Sequence, residues 1–375
     1  MSEGLSEGLG AGAGDTGWRF LVEPAALVRA FLKHPPQGFP VALSASGTPL
    51  FAAPLDLLTT VEDGLRRRIS AWPLYRIWGR WLRLRGCFAG STVSEYLPLG
   101  GAGLAAEAQV RELLETASER PELARHELLV IKDLPQQSPL LGEADNQHAE
   151  ALAQALAGAG FVLLQGQALA WVPIDFENIE AYLAALSSGR RRDLRRKLRS
   201  RADLDLEQWS TGDPRLADAA LRAEIYQLYL NVYAQSEIHF DLLSQDYFDA
   251  LLQDGTLPGR LFLYRAEGRL IGWNLLFEQE GLLIDKTIGL LYPQARQHNL
   301  YFVSWMVNLE YALARGLRAY VAGWTDPQVK AALGARFSLT RHAVRPRRAW
   351  LRWALRRLAP LFEGDHAWHS QAQSR

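Results

Sequence analysis

Apolar and polar positions alternate most regularly between Leu257 and Leu290, LPGRLFLYRAEGRLIGWNLLFEQEGLLIDKTIGL. The pattern predicts three consecutive antiparallel strands, LFLYRA, RLIGWNLLFEQ and GLLIDKTIGL, with turns at Glu267-Gly268 and Glu280-Gly281. LYPQARQHN then reads as a loop, and LYFVSWMVNLEYALARG as a helix closed by Gly316. LRAYVAGW is a further strand, Asp326-Pro327 caps and opens the helix PQVKAALG, and FSLTRHAVR is the last strand. Upstream, Ala223 to Ala234 is a helix carrying Tyr226, Tyr229 and Tyr233, and SEIHFDLLSQDYFDALLQ turns helical in its latter part.

The first half alternates in the same way. WRFLVEP reads as a short strand, PAALVRAFLKH as a helix, and PVALSASGTPLFAAPLDLL as a hairpin turning at Ser46-Gly47. CFAGSTVSEYLPL reads as a strand, Ala105 to Thr116 as a helix, HELLVIKDLP as a buried strand ending in a turn, and HAEALAQALAGAGFVLLQGQALAWVPI as a helix followed by strands. Such alternation indicates an α/β (α+β) chain. LRRRISAWPLYRIWGRWLRLR differs: Trp72, Tyr75, Trp78 and Trp81 recur every three residues between arginines, and Pro73 can open a helix. That helix either buries its aromatics in the core or meets a membrane surface or acyl chain.

At the middle of the chain, Ser187 to Arg201 reads SSGRRRDLRRKLRSR, with eight basic residues and one Asp. Leu194 and Leu198 share one face, arginines cover the others, and Ser187 or Ser188 can cap the start. It is either a solvated linking helix or a cradle for an anion: cofactor phosphates, an acidic carrier protein, or RNA. RHAVRPRRAWLRWALRRLAPLF near the C-terminus is a second basic–aromatic helix, either docked on the fold or attached to an anionic membrane surface.

Composition adds limits. Net charge is zero over 375 residues, so any basic function comes from local clusters. Of 41 basic residues only Lys33, Lys132, Lys197, Lys286 and Lys330 are lysines. The single cysteine, Cys87, excludes a disulfide framework and a cysteine metal site; its apolar surroundings suit a buried small hydrophobe. No run of 18 apolar residues is present, and the glycine- and acid-rich N-terminus is unlike a signal peptide, so a cytoplasmic protein with peripheral contact at an inner membrane is expected. The dinucleotide, P-loop and zinc-protease motifs are absent.

In this order the elements of the second half resemble the GNAT acyltransferase fold. The whole is similar to the FemAB-like (BioF2-like, peptidoglycan biosynthesis/recognition) branch of bacterial N-acyltransferases. LSSGRRRDLRRKLR, LLVIKDLP, IDKTIGL with NLYFVSW, and VAGWTDPQVKAALGARF carry the likeness. The resemblance implies two GNAT-like lobes, each a mixed, mainly antiparallel sheet flanked by helices. It places a disordered leader at 1–17, a first lobe at 18–177, a linking helix at 178–203, a second lobe at 204–345, a basic amphipathic helix at 346–362 and a disordered tail at 363–375. It implies transfer of an acyl or aminoacyl group to an amine, on a lipid or cell-envelope precursor. No cofactor is tightly bound; acyl-CoA, acyl-carrier protein or aminoacyl-tRNA serves as co-substrate. The rival is a non-catalytic protein with a degenerate transferase fold that recognises envelope precursors. One departure matters: Gln294-Ala295-Arg296-Gln297-His298-Asn299 stands where acetyl-CoA enzymes carry a glycine-rich phosphate loop, and without glycine the backbone approaches a phosphate less closely.

Amide formation needs a base, a leaving-group acid and dipoles for the oxyanion. Glu237, His239 and Asp241 share a side if SEIHFD is extended; His239 titrates near neutrality and is the first candidate base, with Glu237 beside it. Tyr292 is a candidate acid. Arg191, Arg195, Arg196, Lys286, Arg296, Asn299, Trp324 and Lys330 are candidate donor- or substrate-binding residues. For each, ordinary packing or surface pairing is the competing role. A metal is not expected.

Overall fold

A computed structural model describes residues 17–56, 83–236 and 240–348. The aromatic–arginine stretch from Leu65, the C-terminal basic helix and both termini therefore fall outside the described residues, apart from the strand residues 83–85 and a few residues up to 348.

The chain forms two compact units that interleave in sequence. Unit 1 comprises Met1–Leu21, Gly38–Gly166 and Leu339–Arg375; unit 2 comprises Val22–Gln37 and Gln167–Ser338. The sequence placed the lobes one after the other. Two features that no local pattern encodes break that succession: α1 (Ala25–Lys33) packs on a helix of unit 2, and two strands change unit along their length.

In unit 1, β1 (Val41–Leu43), β2 (Pro49–Asp56) and β3 (Arg83–Ala89) form an antiparallel meander, and β3 pairs in parallel with β4 (Leu128–Gln136). Parallel neighbours need a long crossover, here carrying α2 (Ala106–Glu119). Beyond β4 lies α3 (Glu143–Gly158), packed on both α2 and β4. β5 (Val162–Pro173) starts in unit 1 and ends in unit 2. β4 is buried almost throughout, as a central strand should be. Cys87 is fully buried, and desolvation pushes its thiol up to about 12, so it behaves as an inert hydrophobe. Two expected strands are missing: 18–24 makes only the bridge Arg19–Leu99, and 90–99 is irregular, with Gly90 at φ 128° and a Ser91–Ser94 hydroxyl pair.

Unit 2 adds α4 (Ile179–Ala185), the basic helix α5 (Ser188–Lys197) with a 3-10 turn after it, β6 (Asp205–Ser210), α6 (Ala219–Gln235) and α7 (Gln245–Leu252). The Ser187 side chain makes no capping bond; Asn178 caps α4 instead. The meander follows as expected: β7 (Gly259–Ala266), β8 (Arg269–Gln279) and β9 (Leu282–Leu290). Glu267-Gly268 and Glu280-Gly281 all have positive φ, as a tight hairpin turn matched to strand twist requires. A short helix, α8 (Gln294–Gln297), replaces the expected loop and leads to α9 (Leu300–Ala314). Then come β10 (Ala319–Gly323), parallel to β9, α10 (Pro327–Ala332) and β11 (Arg336–Pro346).

The two units share one strand pattern: antiparallel, antiparallel, parallel, antiparallel. The last partner is exchanged. β11, the last strand among the described residues, pairs with β4 in unit 1, and β5, from the first half, pairs with β10 in unit 2.

The core of unit 2 closes on Trp273, fully buried, whose indole N–H donates to the Ile225 carbonyl at 2.8 Å. Gly289 across the sheet must lack a side chain, since a Cβ there would stand 2.1 Å from Trp273 Nε1. Trp273→Ala should lower unfolding free energy by about 3–5 kcal/mol, read as an earlier urea midpoint; an unchanged midpoint would show that this indole is not a core anchor.

Candidate functional site

The parallel register of β9 and β10 runs Leu282–Ala319, Leu283–Tyr320, Ile284–Val321 and then ends. Up to Ile284 the residues of β9 are buried; Asp285, Lys286, Thr287 and Ile288 are only partly so. On the other strand the pairing with β5 slips between Val321 and Gly323, and Gly323 takes φ 81°. The strands part here, and polar side chains collect at the gap.

Asp285 is the centre of the collection. Its carboxylate accepts from the Tyr320 hydroxyl at 2.8 Å and from Asn308 Nδ2 at 3.0 Å, with Asn274 Nδ2 at 3.4 Å from each oxygen. Asn308 Nδ2 also donates to the Tyr320 oxygen at 3.0 Å. Asn274, Asn308 and Tyr320 are fully buried, on β8, α9 and β10 respectively. Burial first, and the Asp285 charge next, push the Tyr320 and Tyr264 phenols well up, so both stay protonated donors. The hydroxyls of Tyr264 and Tyr301 and the side-chain oxygens of Asn274 and Asn308 are buried without a hydrogen-bond partner among the described residues. Interior polar atoms are normally satisfied, so four orphans in one core mark a place built for more than packing.

Lys330 stands at the same gap. It is buried, and its ammonium donates to the Ala322 carbonyl at 2.6 Å. A methyl group on Gly323 would lie 3.9 Å from both Lys330 Nζ and the Asp285 carbonyl oxygen. Lys286, next along β9, is partly buried and is the extra residue where the register with β8 slips between Asp285 and Thr287. Trp324, after Gly323, is half-buried.

The loop before α9 forms a second group. Tyr292 lies under the Arg296 guanidinium at 4.9 Å, and burial raises its phenol. Arg296 also donates to Gln235 at 2.6 Å. Asn299 precedes α9 in the left-handed region (φ 50°), which a short polar side chain tolerates. Asp326 is left-handed too (φ 52°), and its side chain does not cap α10, against expectation. Its charge instead reaches Tyr292 and Tyr301, raising both.

The basic helix is held against the start of α9. Leu194 is buried, the Lys197 ammonium sits 3.7 Å over the Phe302 ring, the Ser200 hydroxyl donates to the His298 carbonyl, and Arg201 pairs with Glu310 at 2.6 Å. Arg191 donates to the Ala184 carbonyl, Arg195 pairs with Glu180, and Arg196 pairs with Asp193. These pairs are exposed, and such pairs are weak. Arg192, Arg195 and Arg196 are spaced along one face of α5, Arg199 follows in the 3-10 turn, and all four are exposed.

The structure thus gathers Lys330, Trp324 and the Lys286 strand at one gap, and Tyr292, Arg296, Asn299 and the basic helix around the start of α9. Glu237 and His239 lie outside the described residues, and no base is assigned from them here. Among the described residues no group of three His, Cys, Asp or Glu could hold a metal. Sequence reasoning missed Asn274, Asn308, Tyr320, Tyr264 and Tyr301. The visible signal was a polar residue set against apolar neighbours in three places: Asn274 in GWNLL, Asp285 after LLI and Asn308 in MVNL.

Two solved structures are similar to this chain in fold. The C-terminal domain of a lysylphosphatidylglycerol synthetase candidate from Agrobacterium fabrum is similar in fold, with TM-score 0.50, 15% identity, and 89% of this chain and 90% of that chain covered. L-PGS from Bacillus licheniformis matches with TM-score 0.50, 11% identity, and 92% and 98% covered. A search of curated proteins gives no match. The family model described as peptidoglycan biosynthesis/recognition matches residues 109–340, and the chain belongs to this FemAB-like family.

Proposed function

We propose that the chain transfers an acyl or aminoacyl group from a thioester, carrier-protein or tRNA-linked donor to an amine on a cell-envelope precursor. The observation that carries this is the opening between β9 and β10, where a hydrogen-bonded carboxylate and a buried ammonium face one gap. The family description names peptidoglycan biosynthesis, and the name of one similar structure speaks of a lysyl group joined to a lipid. Both are attachments of amino-acid material to envelope molecules.

In this reading the donor's carbonyl enters the gap, where the strand ends leave main-chain groups unpaired by the neighbouring strand. Asp285, hydrogen-bonded by Tyr320 and Asn308, accepts from an N–H of the neutral amine and orients its lone pair toward the carbonyl carbon. The C–N bond forms, the carbonyl oxygen becomes an oxyanion, and the Lys330 charge offsets it in a dry site. The C–S or C–O bond to the carrier then breaks. The leaving group takes a proton from the candidate acid Tyr292, the amine's proton passes to the Asp285 carboxylate, and solvent returns it from Asp285 to the Tyr292 phenolate. Arg191, Arg195, Arg196 and Arg296 hold the donor's phosphates, and Asn299 and the start of α9 help them. No helix among the described residues is long and apolar enough to cross a membrane.

Turnover with an acyl-CoA series, acylated carrier protein and a charged tRNA pool, each offered with envelope amines, is the direct test. Asp285→Asn keeps shape and should cut turnover about 100-fold, and Lys330→Met should do the same. Both should melt close to the unaltered protein if their role is chemical. Full turnover in either variant would remove that residue from the site. Binding of an envelope precursor with no turnover from any donor would instead establish the recognition protein.

Glu replacement of Arg192, Arg195, Arg196 and Arg199 together should raise KM for a phosphate-bearing donor and flatten its salt dependence, with kcat changed little. An unchanged KM would leave α5 as a structural linker.

A further inference from the structure

Unit 1 carries its own lysine–aspartate pair at the corresponding point of its sheet. The parallel register of β3 and β4 ends at Ala89–Ile131. Just beyond, Gly90 takes φ 128° and Asp133 takes φ 55°. On the other side of β4, the register with β11 slips between Arg341 and Ala343, so that Lys132 and Asp133 of β4 form a bulge opposite the single residue His342. The left-handed, non-glycine Asp133 thus lies within the bulge of β4, a departure from a regular ladder of the kind that recurs where a side chain is aimed for use.

The side chains at this point form one cluster. The Lys132 ammonium contacts the Asp133 carboxylate and donates to the Ser91 carbonyl at 2.8 Å. Its stem passes Gly90 so closely that a Cβ there would stand 2.8 Å from Lys132 Cγ. The backbone N–H of Asp133 donates to His342 Nδ1 at 3.1 Å, while Asp133 Oδ1 lies 3.9 Å from that nitrogen. Asp133 is 8% exposed, but Lys132 and His342 keep 19% and 27% of their side chains exposed. A buried carboxylate therefore lies beside two side chains that keep part of their surface exposed.

The hydrogen bond fixes the imidazole. Since Nδ1 accepts, the ring proton is on Nε2. Burial, helped by the Lys132 charge and opposed by Asp133, holds the ring below its ordinary value, so it is neutral at neutral pH. It then offers an N–H and no lone pair. Lys132 has three N–H bonds, two of them engaged. The cluster presents two donors, one of them cationic, and its only anionic group is already held by the lysine. The complement of such a surface is a group that only accepts.

We propose that Lys132 and His342 form an oxyanion site in unit 1, taking a carboxylate or a phosphoryl group, with Asp133 as the residue that positions both. The site is independent of the chemistry assigned to unit 2.

Calorimetric titration of the full chain with N-acetyl-alanine and acetate on one hand, and glycerol phosphate and inorganic phosphate on the other, separates the two sources. Nitrogen NMR of the His342 ring, run in parallel, should show the Nε2–H form at neutral pH and a saturable Nε2 shift with one class. Lys132→Met and His342→Leu should each weaken that binding about tenfold or more, while His342→Gln, whose amide N–H reaches the Nε2 position, should bind within about threefold of the unaltered chain. The proposal is overturned by the absence of a saturable shift with either class. It is equally overturned by unaltered affinity in folded Lys132→Met and His342→Leu, which would leave the cluster a brace between β4 and β11. Where a variant melts early, the ring shift in the unaltered chain decides.

Discussion

A carboxylate set inside an apolar sheet has to be answered by donors, and unit 2 is organised by that requirement. Asp285 interrupts a run of leucine and isoleucine, and leaving it bare would be strongly unfavourable. The answer comes from three different elements: Asn274 on β8, Asn308 on α9 and Tyr320 on β10. Each brings further polar atoms into the interior. The side-chain oxygens of the two asparagines, and the hydroxyls of neighbouring Tyr264 and Tyr301, are left over. The same place is where the β9–β10 ladder stops. Loss of pairing and gain of polarity coincide, as they must if the backbone groups freed at the gap and the buried side chains are to serve one ligand.

The meander was legible because its signals are local. Strand alternation and two Glu-Gly turns lie within a few residues of one another, and positive φ at all four turn positions follows from the turn type. Cap expectations were less secure. Ser187 and Asp326 have the right chemistry, yet neither side chain caps its helix. Asp326 sits in the left-handed region, where its carboxylate is turned to other work, and the field it exerts on Tyr292 and Tyr301 could not be read from sequence. Lys330 stood out as one of five lysines among 41 basic residues; that it would be buried was not visible. Asp285 was visible as an oddity, but its partners are residues 11, 23 and 35 positions away, and such distances carry no periodic signal.

The duplicated strand pattern shows how one arrangement can serve two ends. In each unit a parallel pair runs out and a lysine ammonium meets a main-chain carbonyl near the end of it: Ser91 in unit 1, Ala322 in unit 2. The surroundings then differ. Lys330 is buried, with a carboxylate network at the same gap; Lys132 reaches solvent and is tied to the adjacent Asp133. Arginine covers most of the chain's other basic positions, which suits surface pairing, whereas a compact ammonium fits a carbonyl at a strand end.

The exchange of β5 and β11 has a consequence for how the protein is made. During synthesis β4, with its Leu-Leu-Val-Ile run, emerges long before the strand that will lie beside it. Until Leu339–Pro346 leaves the ribosome, one edge of β4 has no permanent partner. An apolar strand edge in that state invites pairing with any extended segment, including one from another nascent chain. Unit 1 is therefore first in the sequence but among the last parts to be completed. Its yield in the cell rests on how quickly the far end of the chain arrives.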